Sequence, residues 1–154
     1  MQNSIEIFSI ALGLTEPWFV KEVVFDKERF QLDIFLGFKK GHPFLMEDGH
    51  YYSAHDTIER RWEHLNFFQH KCYLHANVPR VKQLDGKIKT QEVPWARKGS
   101  GFTLLFEAFS MLLIENEMPV NKVAKILQVY PARLWNVFDY WISIAHHEDD
   151  IEDL

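Results

Sequence analysis

Apolar residues recur with two different periods along this chain, and the change falls near Gly101. Before it, Trp18–Phe25 and Arg29–Phe38 read as strands, with Asp26 and Lys27 as a hairpin turn between them. The second run starts with alternation, Arg-Phe-Gln-Leu-Asp-Ile-Phe-Leu, then becomes apolar, as a strand covered on both faces does. Residues 39–56 hold Gly41, Gly49, Pro43, His42, His50 and His55, which is loop chemistry. Residues 57–68 are expected to form a helical turn or an irregular connector. Lys71–Val81 and Lys87–Val93 read as further strands joined at Leu84-Asp85-Gly86, since Asp-Gly favours a tight turn. Pro94–Gly101, PWARKGSG, has the composition of a linker. Beyond Gly101 three helices are expected: Phe102–Met118, Val120–Leu127 and Pro131–Ala145. The last opens on a proline, whose missing N–H costs little in a first turn. The expected class is α+β: a β-rich unit over 1–93, a linker over 94–101, a three-helix unit over 102–145 and an acidic tail over 146–154.

Val120–Asp139, VNKVAKILQVYPARLWNVFD, is the most informative stretch. Two short helices that cross steeply need a small residue midway along the first and apolar residues at set positions on both. Counting Val120 as the first position, Ala124 is the small residue at the fifth. Val123, Leu127, Val129, Leu134 and Val137 supply apolar side chains at positions four, eight, ten, fifteen and eighteen. This is the spacing of a helix-turn-helix. The ninth position, where a positive φ favours glycine, is Gln128, so the motif expects a glutamine in the left-handed region. Tyr130–Trp141 is then the recognition helix. Tyr130, Arg133 and Asn136 are its candidate base contacts, because arginine pairs with guanine and asparagine with adenine in the major groove. Lys122 and Lys125 on the preceding helix suit phosphates.

The overall charge of −5 changes this picture less than its distribution does. From Arg60 to Lys98 nine Lys/Arg face three acids, a local balance of +6, whereas residues 1–59 hold ten acids and five bases. Phosphate binding follows the local field. Within the basic stretch, Arg80, Lys82, Trp95, Arg97 and Lys98 are added as candidate DNA contacts, the last three tracking the backbone or minor groove. At 154 residues with 47% apolar and 15% aromatic residues, the chain can bury a core. It lacks the long uncharged run of a membrane span, and its start, MQNSIEIFSIALGL, lacks signal-peptide features. A single cysteine, Cys72, suits a reducing cytoplasm.

The stretches HDTIERRWEHLNFFQHKCYLHANVPRVK and EVPWARKGSGFTLLFEAF resemble the N-terminal region of ISL-type insertion-sequence transposases. The short length points to the split ISAon-type form, in which this region is a separate polypeptide. The resemblance runs from about His55 to Trp141. It implies a zinc-finger-like unit followed by a helix-turn-helix that binds the element's terminal repeats, with DNA recombination carried out by a ribonuclease-H-like domain elsewhere. The chain departs from the family's paired cysteines: its first loop reads HPFLMEDG, and Gln83 stands where a cysteine is expected. Structural zinc wants four Cys or His ligands in paired spacings, and His42, His50, His55 and Cys72 match no such pattern. No metal or other cofactor is expected. The unit is read as a degenerate zinc finger in which Phe44, Tyr51, Tyr52 and Trp62 replace the metal with core.

The enzymatic readings are weaker. His146, His147 and the acids after them look like a metal cluster, but read more simply as a solvated tail. Asp33, Asp56 and Glu107 are expected to be a surface acid, a turn or cap residue and an exposed helix position. Cys72 has His70, Lys71 and His75 nearby, yet strand alternation points its immediate neighbours to the opposite face. The chain is therefore expected not to be an enzyme, the catalytic acidic triad lying outside it. Double-stranded DNA is the expected partner, with a catalytic transposase subunit and a homodimer left open and no membrane contact. A second class of reading is a protein-interaction domain that tethers a catalytic subunit, or an orphan regulator. Trp135, Phe138 and Trp141 bear on it, although core packing explains all three.

Overall fold

Alternation of buried and exposed side chains organises the N-terminal two thirds of the chain. The structure, a computed structural model, describes residues 2–67 and 69–152, with side-chain surroundings for 5–67 and 69–147. The chain divides into Met1–Leu104 and Leu105–Leu154.

In the first unit, helix α1 (Gln2–Ala11) precedes β1 (Trp18–Asp26), β2 (Gln31–Phe38), β3 (Phe44–Leu45), β4 (Tyr51–Tyr52), β5 (Asp56–Phe67), β6 (His70–Lys82) and β7 (Ile88–Thr90). The main sheet has the order β1-β2-β6-β5, and β7 pairs with the end of β6. β2 and β6 run parallel, setting Leu32 beside Cys72 and Ile34 beside Leu74; the other pairings in this sheet are antiparallel. Those even-numbered residues, with Trp18, Val20 and Trp62, form the core, against which Ile5 and Phe8 of α1 and Leu12 just after it pack. β3 and β4 form a separate small ribbon.

Three expectations for this unit are corrected. Residues 57–67 are strand: Ile58 and Trp62 lie opposite Val78 and Leu74 on β6 and share their core-facing side. Arg60 on that same side breaks the apolar alternation and hides the strand from pattern reading. Phe68, the end of the expected connector, lies outside the described residues. The 94–101 segment is not a free linker. Trp95 and Ala96 join the core, and Trp95 stands edge-on to Trp18 and Trp62 with centroids 4.7 and 5.3 Å away. The following residues bond to β5: Glu63 N–H donates to Gly101 O (2.8 Å), and Thr103 N–H donates to Glu63 O (3.0 Å). Lastly, α1 is a helix that the pattern did not single out.

The second unit holds α2 (Leu104–Glu115, whose first residue closes the first unit), α3 (Val120–Leu127) and α4 (Pro131–Glu152). α4 runs past the expected end at Ala145 through 146–152, and the side chains of the acids from Glu148 onward lie outside the described ones. Val120, Val123, Ala124 and Leu127 of α3 are buried, as are Leu134 and Val137 of α4.

Candidate nucleic-acid interface

The geometry of the α3–α4 pair begins at its turn. Gln128 takes φ 60° and ψ 43°, the left-handed region. Its N–H donates to Lys125 O (3.3 Å) and the Val129 N–H to Ala124 O (3.0 Å), which together form a Schellman closure. That closure ends α3 within one residue, so α4 starts at Pro131 after a short turn. Ala124 is fully buried at the fifth position of the motif, where a larger side chain would hold the helices apart. Val129 is half-buried.

This arrangement leaves a polar surface outside the packed seam. Lys122 and Lys125 are exposed on α3, Tyr130 in the turn is 80% exposed, and Asn136 is exposed on α4. Arg133 is half-buried and engaged with neighbours. Lys122, Lys125 and Arg133 are all the Lys/Arg that residues 105–154 contain, so the positive charge of this unit sits on the motif. At helical spacing, Ala132 and Asp139 share the exposed face of α4 with Asn136, and both escaped the sequence reading. Their signal was available, since each lies three or four residues from a chosen position.

Trp135, expected in the core, is 44% exposed, and its indole N–H donates to Asn121 Oδ1 at 3.2 Å. Phe138 and Trp141 are half-buried. The Trp141 indole N–H donates to Glu107 Oε1 (3.3 Å), tying α4 to α2. Glu107 is fully buried, not exposed as expected.

The candidates in the first unit fare unevenly. Trp95 is 7% exposed in the core and cannot reach a nucleic acid. Arg80 grips Asp56 with Nε and Nη2, and the Arg80 hydrogen bond holds the Asp56 carboxyl below its ordinary value. Arg97 is half-buried and engaged, while Lys82 and Lys98 are exposed. The basic stretch of 60–98 is not one face. Adjacent Arg60 and Arg61 point to opposite sides of β5, and Arg61 lies over the Tyr73 ring at 4.5 Å. Lys71 and Lys82 stand at opposite ends of β6, about 36 Å apart at strand rise.

The alternative chemistries find no support. Among the described residues, no three His, Cys, Asp or Glu side chains converge in a way that could hold a metal ion, so His42, His50, His55 and Cys72 do not fit a zinc site. Cys72 is buried, and burial, with Asp33 adding to it, pushes its thiol up to about 12, which leaves it protonated and inert. Asp33 Oδ1 lies at hydrogen-bond distance from His75 Nε2 (2.6 Å), and the Asp56 carboxylate accepts from Arg80 Nε. Among the described residues no helix is long and apolar enough to cross a membrane.

Residues 91–142 match the family model described as the helix-turn-helix domain of transposase family ISL3. Neither a curated protein nor a solved structure matches the chain significantly. The matched region runs from residue 91 through α2, α3 and its left-handed turn into the first half of α4, and so includes the residues that carry the geometry above. This part of the chain is thus similar to a helix-turn-helix DNA-binding domain of transposases.

Proposed function

We propose that this chain is the DNA-binding front end of an insertion-sequence transposase, of the split ISAon type, and that it recognises the ends of its element. The observation that carries this reading is the αL turn at Gln128. It joins two packed helices in the one stretch of the second unit that bears cations. α4 enters the major groove by its N-terminal half, presenting Arg133 and Asn136 to base edges with Tyr130 from the turn before it, while Lys122 and Lys125 contact phosphates. Lys82 and Lys98 add phosphate contacts from the first unit.

The first unit is read as a degenerate zinc finger that holds its turns without metal. The Tyr52 hydroxyl donates to Asp48 beside the β3–β4 turn and accepts from the Leu84 N–H (3.2 Å) in the β6–β7 turn, so one side chain bridges both. Phe44 and Trp62 are buried, Tyr52 is half-buried and Tyr51 is exposed.

The reading is tested by fluorescence anisotropy of the whole chain on duplexes carrying the element's ends and on shuffled duplexes, at two salt concentrations. Preferential binding that weakens with salt supports it. Absence of binding to either duplex at low salt overturns it.

A second reading, a domain that tethers a catalytic transposase subunit, draws on an open cleft of about 410 Å³ in the second unit. Ile114, Met118, Pro119, Val120, Trp135 and Phe138 line it. Both roles fit one chain, since the cleft leaves Lys125 and Asn136 free of its lining.

A further inference from the structure

Helix α4 turns Leu134 and Val137 inward. The side opposite them carries Ala132, Asn136, Asp139 and Ser143, at spacings of four, three and four residues, and all four are exposed. This stripe presents a methyl group, a carboxamide, a carboxylate and a hydroxyl, and its sole charge is negative. Arg133 is turned about 100° away from Ala132 around the helix, and it is half-buried and engaged with neighbours. A stripe with one methyl and one acid suits neither an apolar protein surface nor a phosphate backbone. It suits the major groove, where base edges offer donors, acceptors and one apolar group.

That apolar group is the C5 methyl of thymine. We propose that Ala132 is a specificity residue for DNA, its methyl meeting the C5 methyl of a thymine close to the adenine that Asn136 holds. The proposal rests on the DNA-binding reading above and adds the class of base that α4 takes. Four residues rise about 6 Å along a helix and base pairs stack about 3.4 Å apart, so the two contacts fall within about two base pairs of each other. Alanine is suited by its shortness. It reaches a methyl on the base edge without holding the helix away, so the Asn136 carboxamide still reaches adenine N6 and N7. Asp139, the next residue along the stripe, accepts from the amino group of adenine or cytosine and opposes the acceptor edge of guanine. The stripe as a whole therefore disfavours guanine on the strand it faces.

The test uses the whole chain and two forms of the element-end duplex, one carrying thymine and the other uracil throughout. Uracil lacks the C5 methyl and keeps the pairing edge. Anisotropy gives the ratio of the two dissociation constants within each protein, so a helix weakened by substitution affects both duplexes alike. Wild type is expected to bind the thymine duplex about fourfold more tightly, the effect of one buried methyl group. Ala132→Gly should bind the two alike. Ala132→Val, whose extra methyls crowd the thymine methyl, should prefer the uracil duplex. Uracil placed at single positions should then trace the loss to one thymine. That thymine should lie within about two base pairs of an adenine whose 7-deaza form weakens wild type but not Asn136→Ala. Equal affinity of wild type for the two duplexes overturns the proposal and leaves the DNA-binding reading standing. A ratio that stays at the wild-type value in both Ala132 variants also overturns it, because another residue then reads the methyl. Absence of binding to either duplex overturns DNA binding itself, and the proposal with it.

Discussion

At the scale of single residues, the roles assigned to the α3–α4 surface separate in measurement. A side chain that reads a base loses discrimination when removed, whereas one that holds a phosphate weakens binding to all sequences alike. Asn136→Ala is expected to cost about 1–3 kcal/mol on the element end and little on shuffled DNA, measured by anisotropy. Lys125→Ala is expected to weaken both and to leave their ratio unchanged. Gln128 makes a different kind of claim, about backbone. A β-branched side chain is poorly tolerated in the left-handed region, so Gln128→Val should destabilise the fold by about 1–2 kcal/mol, read from the urea midpoint. Gln128→Gly relieves the same constraint and should raise that midpoint. A Val variant as stable as wild type would contradict the φ of 60° from which this prediction starts.

At the scale of elements, β5 is held on one side by β6 and on the other by the 101–103 segment. His64 sits at that join, with Nδ1 2.6 Å from Thr103 Oγ1. Burial lowers its pKa from 6.5 to about 4. The folded chain therefore binds fewer protons than the unfolded chain between those two values, and stability rises with pH across that window. The contribution of neutral His64 is complete above about pH 6.5 and is lost as pH falls toward 4; the shift corresponds to on the order of 3 kcal/mol. Urea unfolding at pH 7.5, 6, 5 and 4.5 should show that slope, and His64→Gln should flatten it. Equal slopes for the two chains would remove His64 from the pH response. Asp56 acts in the opposite range. Its folded pKa lies below 3.8, so the stability it adds through Arg80 is present above that value and lost in stronger acid.

At the scale of the whole molecule, a chain of net charge −5 binds a polyanion only through a local excess of cations. Lys122, Lys125 and Arg133 are all the Lys/Arg of the second unit, and Lys82 and Lys98 stand exposed in the first. The logarithm of the binding constant falls with the logarithm of salt by about 0.9 for each phosphate neutralised. The expected slope is therefore about −3 to −5. Changing Lys82 and Lys98 together to alanine should make it shallower by up to about 2 while preference for the element end persists. An unchanged slope would remove the first unit from the DNA contact. Trp95→Ala should instead lower stability, by about 3–5 kcal/mol for a buried aromatic, with DNA affinity per folded molecule unaltered.

Features that depend on neighbours along the chain were legible in the residues alone. The bounds of α3, the small residue at Ala124, the αL residue at Gln128 and the proline start of α4 follow from local spacing and backbone preference, and pattern reading reaches them. Strands β1, β2 and β6 were legible for the same reason, since alternation is a local signal. Features that depend on partners far away in the chain emerge only with the fold. Residues 57–67 are strand because β6 supplies a long antiparallel partner that outweighs a broken pattern. Trp95 lies in the core because Trp18 and Trp62, distant in sequence, build a pocket for it; its Pro-Trp-Ala-Arg-Lys-Gly context reads as exposed loop. The basic stretch is dispersed because strands send adjacent side chains to opposite faces and separate distant ones by tens of ångströms. The side of α2 that faces inward is likewise a packing decision. A helix with apolar residues all round has no moment that selects one, and the three-dimensional contacts buried Glu107 and left Phe109 outside.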